Sequence, residues 1–313
     1  GTVADWRPAC DTLDKVVPGD TVGARAVFEE HFTVWQASDS NPDDDLFTGY
    51  YEPELAGARE PDDTYDVPIY PRPTDLVLVD LGDFRDSMKG ERIAGRMEGF
   101  RLKPYDSRAD IEAGSLVGKA EPVLWLADPI DAFFLHIQGS GLIRLADGTL
   151  TRVGYDGHNG HIYFPIGRYL ISAGHVPKEE MSMQAIRGWL DANPSYIFFR
   201  ELKGDGPIGA QGVALTAERS LAVDRTQHAL GVPIWVDIDY TKAGHSDGIR
   251  RLMVAQDTGG AIRGPVRGDF FWGSGDAPGE KAGAMAAKGR MWLLLPVGVN
   301  PNVETVKAPQ PSS

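Results

Sequence analysis

The segment from Leu252 to Gly275, LMVAQDTGGAIRGPVRGDFFWGSG, constrains this chain more than any other. It opens as an apolar run ending at Ala255, the pattern of a buried strand. It then turns polar at once, through Gln256 and Asp257 to Thr258, Gly259 and Gly260, residues that let a chain bend tightly and approach a neighbour closely. Arg263, Gly264 and Pro265 follow, then a second carboxylate, Asp269, and the aromatics Phe270, Phe271 and Trp272. An apolar strand feeding a polar glycine turn is a common site geometry, because a rigid element positions the loop.

A third aspartate belongs with these two. Asp224 leaves the short apolar run Leu221-Ala222-Val223. Carboxyls that converge in a desolvated cleft cannot all stay ionised cheaply, so one holds a proton near neutral pH. A protonated carboxyl is what a glycosidic oxygen needs from a general acid. The aromatic run beside Asp269 would form the apolar wall that raises its pKa. The plainer alternative leaves Asp224 and Asp257 to loop hydrogen bonds or to pairing with Arg225 and Arg263. Nucleophilic triads compete poorly: Gly273-Ser274-Gly275 lacks the spacing of a nucleophile elbow, and Cys10 lies in a polar terminal segment.

At 313 residues two domains are expected, and a net charge of −14 argues against nucleic acid or an anionic membrane surface as the main partner. One cysteine excludes an internal disulfide and a cysteine metal cage. No apolar run reaches membrane-spanning length, and a chain that starts at Gly1 is expected to have had a leader or anchor removed.

Read in order, residues 1–37 look mostly helical, with Ala24, Val27, Phe28, Phe32 and Trp35 at helical spacing. Leu46 to Pro53 alternates like a strand, so Thr48, Tyr50 and Glu52 share a face suited to sugar hydroxyls; the alternative puts Tyr50 or Tyr51 in the core and Glu52 in solvent. The prolines from Pro61 to Pro73 predict an extended segment, and a boundary falls near Ser107. Val123–Leu126, Ala132–Ile137, Leu142–Leu145, Thr151–Tyr155 and Tyr196–Phe199 read as strands, with Asp147-Gly148 as a hairpin turn, making a small antiparallel barrel or sheet. Helices are expected at 165–173 and from Pro177 through Met181 towards Asp191. His158-Asn159-Gly160-His161 reads as loop hydrogen bonding, not metal ligation. Gly209–Leu215, Leu221–Val223, Pro233–Ile238, Leu252–Ala255 and Arg290–Pro296 are further strands. With one helix from Pro278 to Lys288 capped by Gly289, they predict a closed or nearly closed barrel.

Long motifs add a resemblance. FTGYYEP (47–53), FLHIQGSG (134–141), VGYDGHNGHIYFPIGRYLI (153–171), MSMQAIR (181–187), NPSYIFFR (193–200), LAVDR (221–225) and AQDTGGAIRG with RGDFFWG (255–273) together resemble the membrane-bound lytic transglycosylase A (MltA) family over almost the whole chain. The resemblance implies a mainly β fold: a double-psi β-barrel from residues 1–106 and 201–300, its three-aspartate part at about 205–297, with a second small β-barrel inserted at 107–200 and a few packed helices. A disordered tail is expected at 301–313. The resemblance implies that Asp269 is the catalytic acid and then base, supported by Asp257 and Asp224, without metal or cofactor. Thr48, Tyr50, Glu52, Gln138, Ser140 and Trp272 are the expected substrate-binding residues. The implied partner is a peptidoglycan glycan strand, cut by a non-hydrolytic route that leaves 1,6-anhydromuramic acid ends. A hydrolytic muramidase with Glu52 as remote carboxylate, and a non-catalytic glycan-binding module, are the alternatives. A periplasmic monomer anchored at the outer membrane, in contact with other cell-wall enzymes, completes the expectation.

Overall fold

The computed structural model describes residues 2–39, 41, 45–89, 91–177, 180, 184–204, 206–241 and 248–301. The expected disordered tail and Met181 of the expected second helix lie outside the described residues, apart from Pro301.

An eight-stranded sheet carries the main core. Its order is Phe32–Gln36, Gly289–Pro296, Pro233–Ile238, Ile249–Asp257, Ser220–Val223, Arg267–Ser274, Leu46–Glu52 and Ala286–Ala287. Strands from both ends of the sequence are therefore interleaved. Leu46–Glu52 pairs parallel with Arg267–Ser274, and Ser220–Val223 pairs parallel with Ile249–Asp257. Because successive strand residues point to opposite faces, Phe47, Phe270 and Trp272 enter the core while Thr48, Tyr50, Asp269 and Phe271 take the other face.

A six-stranded sheet runs Ile197–Leu202, Leu150–His158, Ser140–Arg144, Glu54–Ala58, Leu124–Leu126 and Val67–Ile69. A three-stranded sheet, Val77–Asp80, Arg92–Glu98 and Arg101–Pro104, flanks it. The chain passes from the first sheet to the second through Pro53 alone, between Glu52 and Glu54.

The expected double-psi β-barrel and the inserted small barrel are not formed. The large sheet ends on Phe32–Gln36 and Ala286–Ala287, and the second on Ile197–Leu202 and Val67–Ile69; in neither do the two end strands pair among the described residues. The fold is mixed α/β, with open sheets. Helices cover the apolar surface that closure would otherwise have to bury. Val3–Leu13 and Thr21–His31 pack Ala9 and Phe28 near Phe32 and Leu294. Asp276–Gly283 lays Ala282 against the core that holds Phe47 and Trp272. Pro129–Gln138 inserts Ala132 and Leu135 under the second sheet.

That last helix corrects the strand expected at Ala132–Ile137. Asp128 caps it by accepting from the Ile130 N–H at 2.7 Å, Pro129 occupies its first turn, and Gly139 ends it at φ 79°. Phe32–Gln36 is likewise a strand, not the end of a helix, because β-branched Thr33 and Val34 pair with Leu295 and Leu294. Gly209–Leu215 forms no strand, only a bridge between Ile208 and Ala214. The helix expected to run to Lys288 spans Asp276–Gly283, and Gly289 starts a strand.

Candidate active site

Asp257, Ala222, Asp269 and Thr48 form a row across four adjacent strands. Ala222 pairs with Asp257 on one side and with Asp269 on the other, and Asp269 pairs with Thr48. Two strand spacings separate the aspartates, about 9.5 Å between Cα atoms. Ala222 between them is small and buried. The row depends on an irregularity. The register between Ser220–Val223 and Ile249–Asp257 shifts after Leu221, so Ala222 meets Asp257 and Gln256 is the extra residue. The bulge is held from both sides: Ser220 Oγ donates to Gln256 Oε1 at 2.6 Å, and Gln211 N–H donates to the Gln256 carbonyl.

Asp269 accepts a hydrogen bond from Thr48 Oγ1 at Oδ1, 2.6 Å. Burial pushes its carboxyl above the usual range, and the neighbouring Asp257 charge pushes the same way; the Thr48 hydrogen bond and Arg267 oppose them. Asp257 is also raised, again by burial, although it accepts from Tyr50 OH at 2.9 Å and from the Ala210 N–H at 3.0 Å. Both carboxyls are desolvated, and burial favours the neutral form of each. The Tyr50 hydroxyl is pushed well up by burial and by Asp257, so it stays a donor, and its ring lies 5.2 Å from that of Phe271.

Asp224 is placed differently. Its carboxylate is buried and accepts from Thr226 N–H and Oγ1 at Oδ1, and from the Gly264 N–H at Oδ2. Arg263 lies 3.6 Å away. Burial raises its pKa, but the hydrogen bonds and Arg263 outweigh it and hold the group below its ordinary value. Asp224 thus ties down the loop that leads into Arg267–Ser274.

Of the remaining expected residues, Glu52 is fully buried. Arg152 holds it through two contacts, 2.7 and 3.2 Å, and Ser274 Oγ donates at 2.6 Å. Trp272 is also in the core, against Phe270 and Tyr240. Gln138 is half-buried and accepts from the Tyr51 N–H, while Ser140, half-buried, starts the adjacent strand. His158 and His161 make loop bonds to Gly160 and to the Tyr105 carbonyl. Among the described residues no cluster of three His, Cys, Asp or Glu side chains has the makings of a metal site. Sequence reasoning passed over Arg267, which is buried and donates to Thr48 Oγ1 at 2.9 Å. Its signal was strand alternation: it lies two residues before Asp269, on the same face.

Two family models match, the MltA specific insert domain over residues 46–200 and the 3D domain over residues 219–295. The membrane-bound lytic murein transglycosylase A of Escherichia coli K12 is 34% identical over 265 residues, 79% of this chain; the match spans 65% of that protein, less than two thirds of its length. A crystal structure of membrane-bound lytic murein transglycosylase from Agrobacterium tumefaciens is 35% identical, with a TM-score of 0.82 over 95% of this chain and 85% of that one. E. coli MltA with bound chitohexaose is 29% identical, with a TM-score of 0.69 over 94% and 84%.

Proposed function

The chain belongs to the MltA family, and from that premise we propose that it is a lytic transglycosylase of peptidoglycan. In this reading it cleaves the β-1,4 bond between N-acetylmuramic acid and N-acetylglucosamine without water and leaves 1,6-anhydromuramic acid ends. The observation that carries the reading is Asp269, set in one row with Asp257 and desolvated beside it, so that burial first and the Asp257 charge second favour its protonated form.

Asp269 gives its proton to the bridging oxygen, the C1–O bond breaks, and its electron pair leaves with the N-acetylglucosamine O4. Positive charge develops at C1 of the muramoyl ring. The Asp269 carboxylate then takes the proton from that ring's own C6 hydroxyl, whose oxygen closes on C1. The nucleophile is tethered to the reacting ring, a large advantage over a free water. Burial keeps Asp269 protonated at the start, Asp257 adds to that effect, and Asp224 anchors the loop that leads to it. Tyr50, Gln138 and Ser140 are the residues we assign to the glycan groove.

A water-activating muramidase needs a second, uncommitted carboxylate. Glu52 is enclosed by Arg152 and Ser274, and both Asp257 oxygens already accept protein hydrogen bonds, which favours the transglycosylase reading. The bound chitohexaose of the E. coli relative supports a glycan strand as ligand. No helix among the described residues is long and apolar enough to cross a membrane. We assign the protein to the periplasm as a monomer, attached to the outer membrane in the manner of its family.

The test is digestion of purified peptidoglycan followed by mass spectrometry. Released ends should be about 18 Da lighter than hydrated ones and should resist borohydride reduction, because no water is added at C1. Predominantly hydrated, reducing ends would overturn the reading, and no release would point to a binding module.

A further inference from the structure

We propose that Thr48, locked in orientation by Arg267, is a positioning residue that places the acid proton of Asp269 on Oδ2. This inference rests on the transglycosylase reading and adds which oxygen of the acid delivers its proton.

The argument follows from donor and acceptor capacity. Arg267 is a donor only and stays charged. It is buried and pinned by its own bonds, Nη1 donating to the Leu46 carbonyl at 3.2 Å and to the Gly268 carbonyl at 2.6 Å. Its Nη2 then donates to Thr48 Oγ1 at 2.9 Å. A threonine hydroxyl has one proton, and with Arg267 filling an acceptor position that proton is directed to Asp269 Oδ1, 2.6 Å away. Oδ1 is thereby an acceptor in both charge states of Asp269. When Asp269 is protonated, its proton has to sit on Oδ2, which accepts no hydrogen bond among the described residues. The same contact stabilises the carboxylate left after proton donation, which must next act as a base.

The charged and titratable groups acting on Asp269 are few. Its own strand supplies Arg267, Ile249–Asp257 supplies Asp257, and Leu46–Glu52 supplies Tyr50. Ser220–Val223 supplies Ala222, which carries no charge. Lys281 of the helix Asp276–Gly283 lies over Trp272 on the core face.

The experiment measures the pH dependence of muropeptide release from purified peptidoglycan by Thr48→Val, Thr48→Ser and Arg267→Met, with folding checked by circular dichroism. A general acid works while protonated, so turnover falls as pH rises through its pKa. Thr48→Val removes a hydrogen bond to the carboxylate, so the alkaline limb should move up by about one pH unit and turnover should drop about ten-fold. Thr48→Ser should keep the limb where the parent has it. Arg267→Met should move the limb upward too; if it fails to fold, the Thr48 pair still decides. A Thr48→Val limb at the parent position, with any loss of turnover uniform across pH, would overturn the proposal. Product mass separates the two claims: hydrated ends from the parent would remove the transglycosylase reading, whereas anhydro ends with an unmoved limb would remove only the proton placement.

Discussion

Thr48 and Asp269 face each other on parallel neighbouring strands, and the Thr48 hydroxyl donates to Asp269 Oδ1 at 2.6 Å. Asn at 269 keeps this acceptor and loses the acid. Asp269→Asn should fold normally and lose at least about 100-fold in turnover. Near-parental release from peptidoglycan by the folded variant would remove Asp269 from the mechanism.

The same substitution has a stability signature. The folded-state pKa of Asp269 is raised by burial, so this group's favourable contribution is present below its unfolded value and is lost as pH rises through the folded one. Asp269→Asn does not titrate. It should therefore melt at a higher temperature than the parent at pH 7, with the gap closing below about pH 4. Thermal scans across pH test this, and a gap independent of pH would contradict the assigned burial cost.

Asp224 should behave in the opposite sense. Its folded pKa is depressed, so its contribution is present above the unfolded value and is lost as pH falls through the folded one. Asp224→Ala leaves the Gly264 and Thr226 N–H groups unpaired, at a cost of about 2 kcal/mol near neutral pH. Urea unfolding at pH 7 and in acid would reveal this as a difference that shrinks on acidification.

The Glu52–Arg152 pair joins the two larger sheets and is buried on its carboxylate side. Arg152→Ala strands that carboxylate and should destabilise by about 3 kcal/mol. The Glu52→Gln, Arg152→Met double variant should cost less than the sum of its single changes. Additive losses would mean that the pair is not coupled.

Trp272 was expected against substrate and lies in the core instead. Trp272→Ala should cost about 3–5 kcal/mol in chemical denaturation. Weaker glycan binding by fully folded Trp272→Phe would return the residue to the groove.

What the sequence disclosed depended on the range of the interaction. Leu221–Val223 and Pro233–Ile238 are strands because their apolar and β-branched runs fit a strand and little else. Ala132–Ile137 is as apolar, and periodicity cannot tell a short buried strand from a buried helix. Asp128, Pro129 and Gly139 carried the deciding signal at its ends. Sheet closure was not legible, because it depends on which edges helices cover. The carboxyls were visible as residues, yet their roles were not. Asp224 and Asp269 both adjoin the same run of strands, and only local donors separate them: Gly264 and Thr226 around one, Thr48 alone on the other. The row through Ala222 needed the bulge at Gln256, which no local pattern announces.

The parallel pairing of Leu46–Glu52 with Arg267–Ser274 also sets the order in which the protein acquires its chemistry. Contacts this distant in sequence form late, since the intervening chain must first be gathered in. Until that strand pair zips, Asp269 has neither its Thr48 partner nor its desolvated neighbourhood, and it titrates as an ordinary surface carboxylate. A nascent or partly unfolded molecule therefore lacks the carboxyl environment on which the proposed cleavage depends.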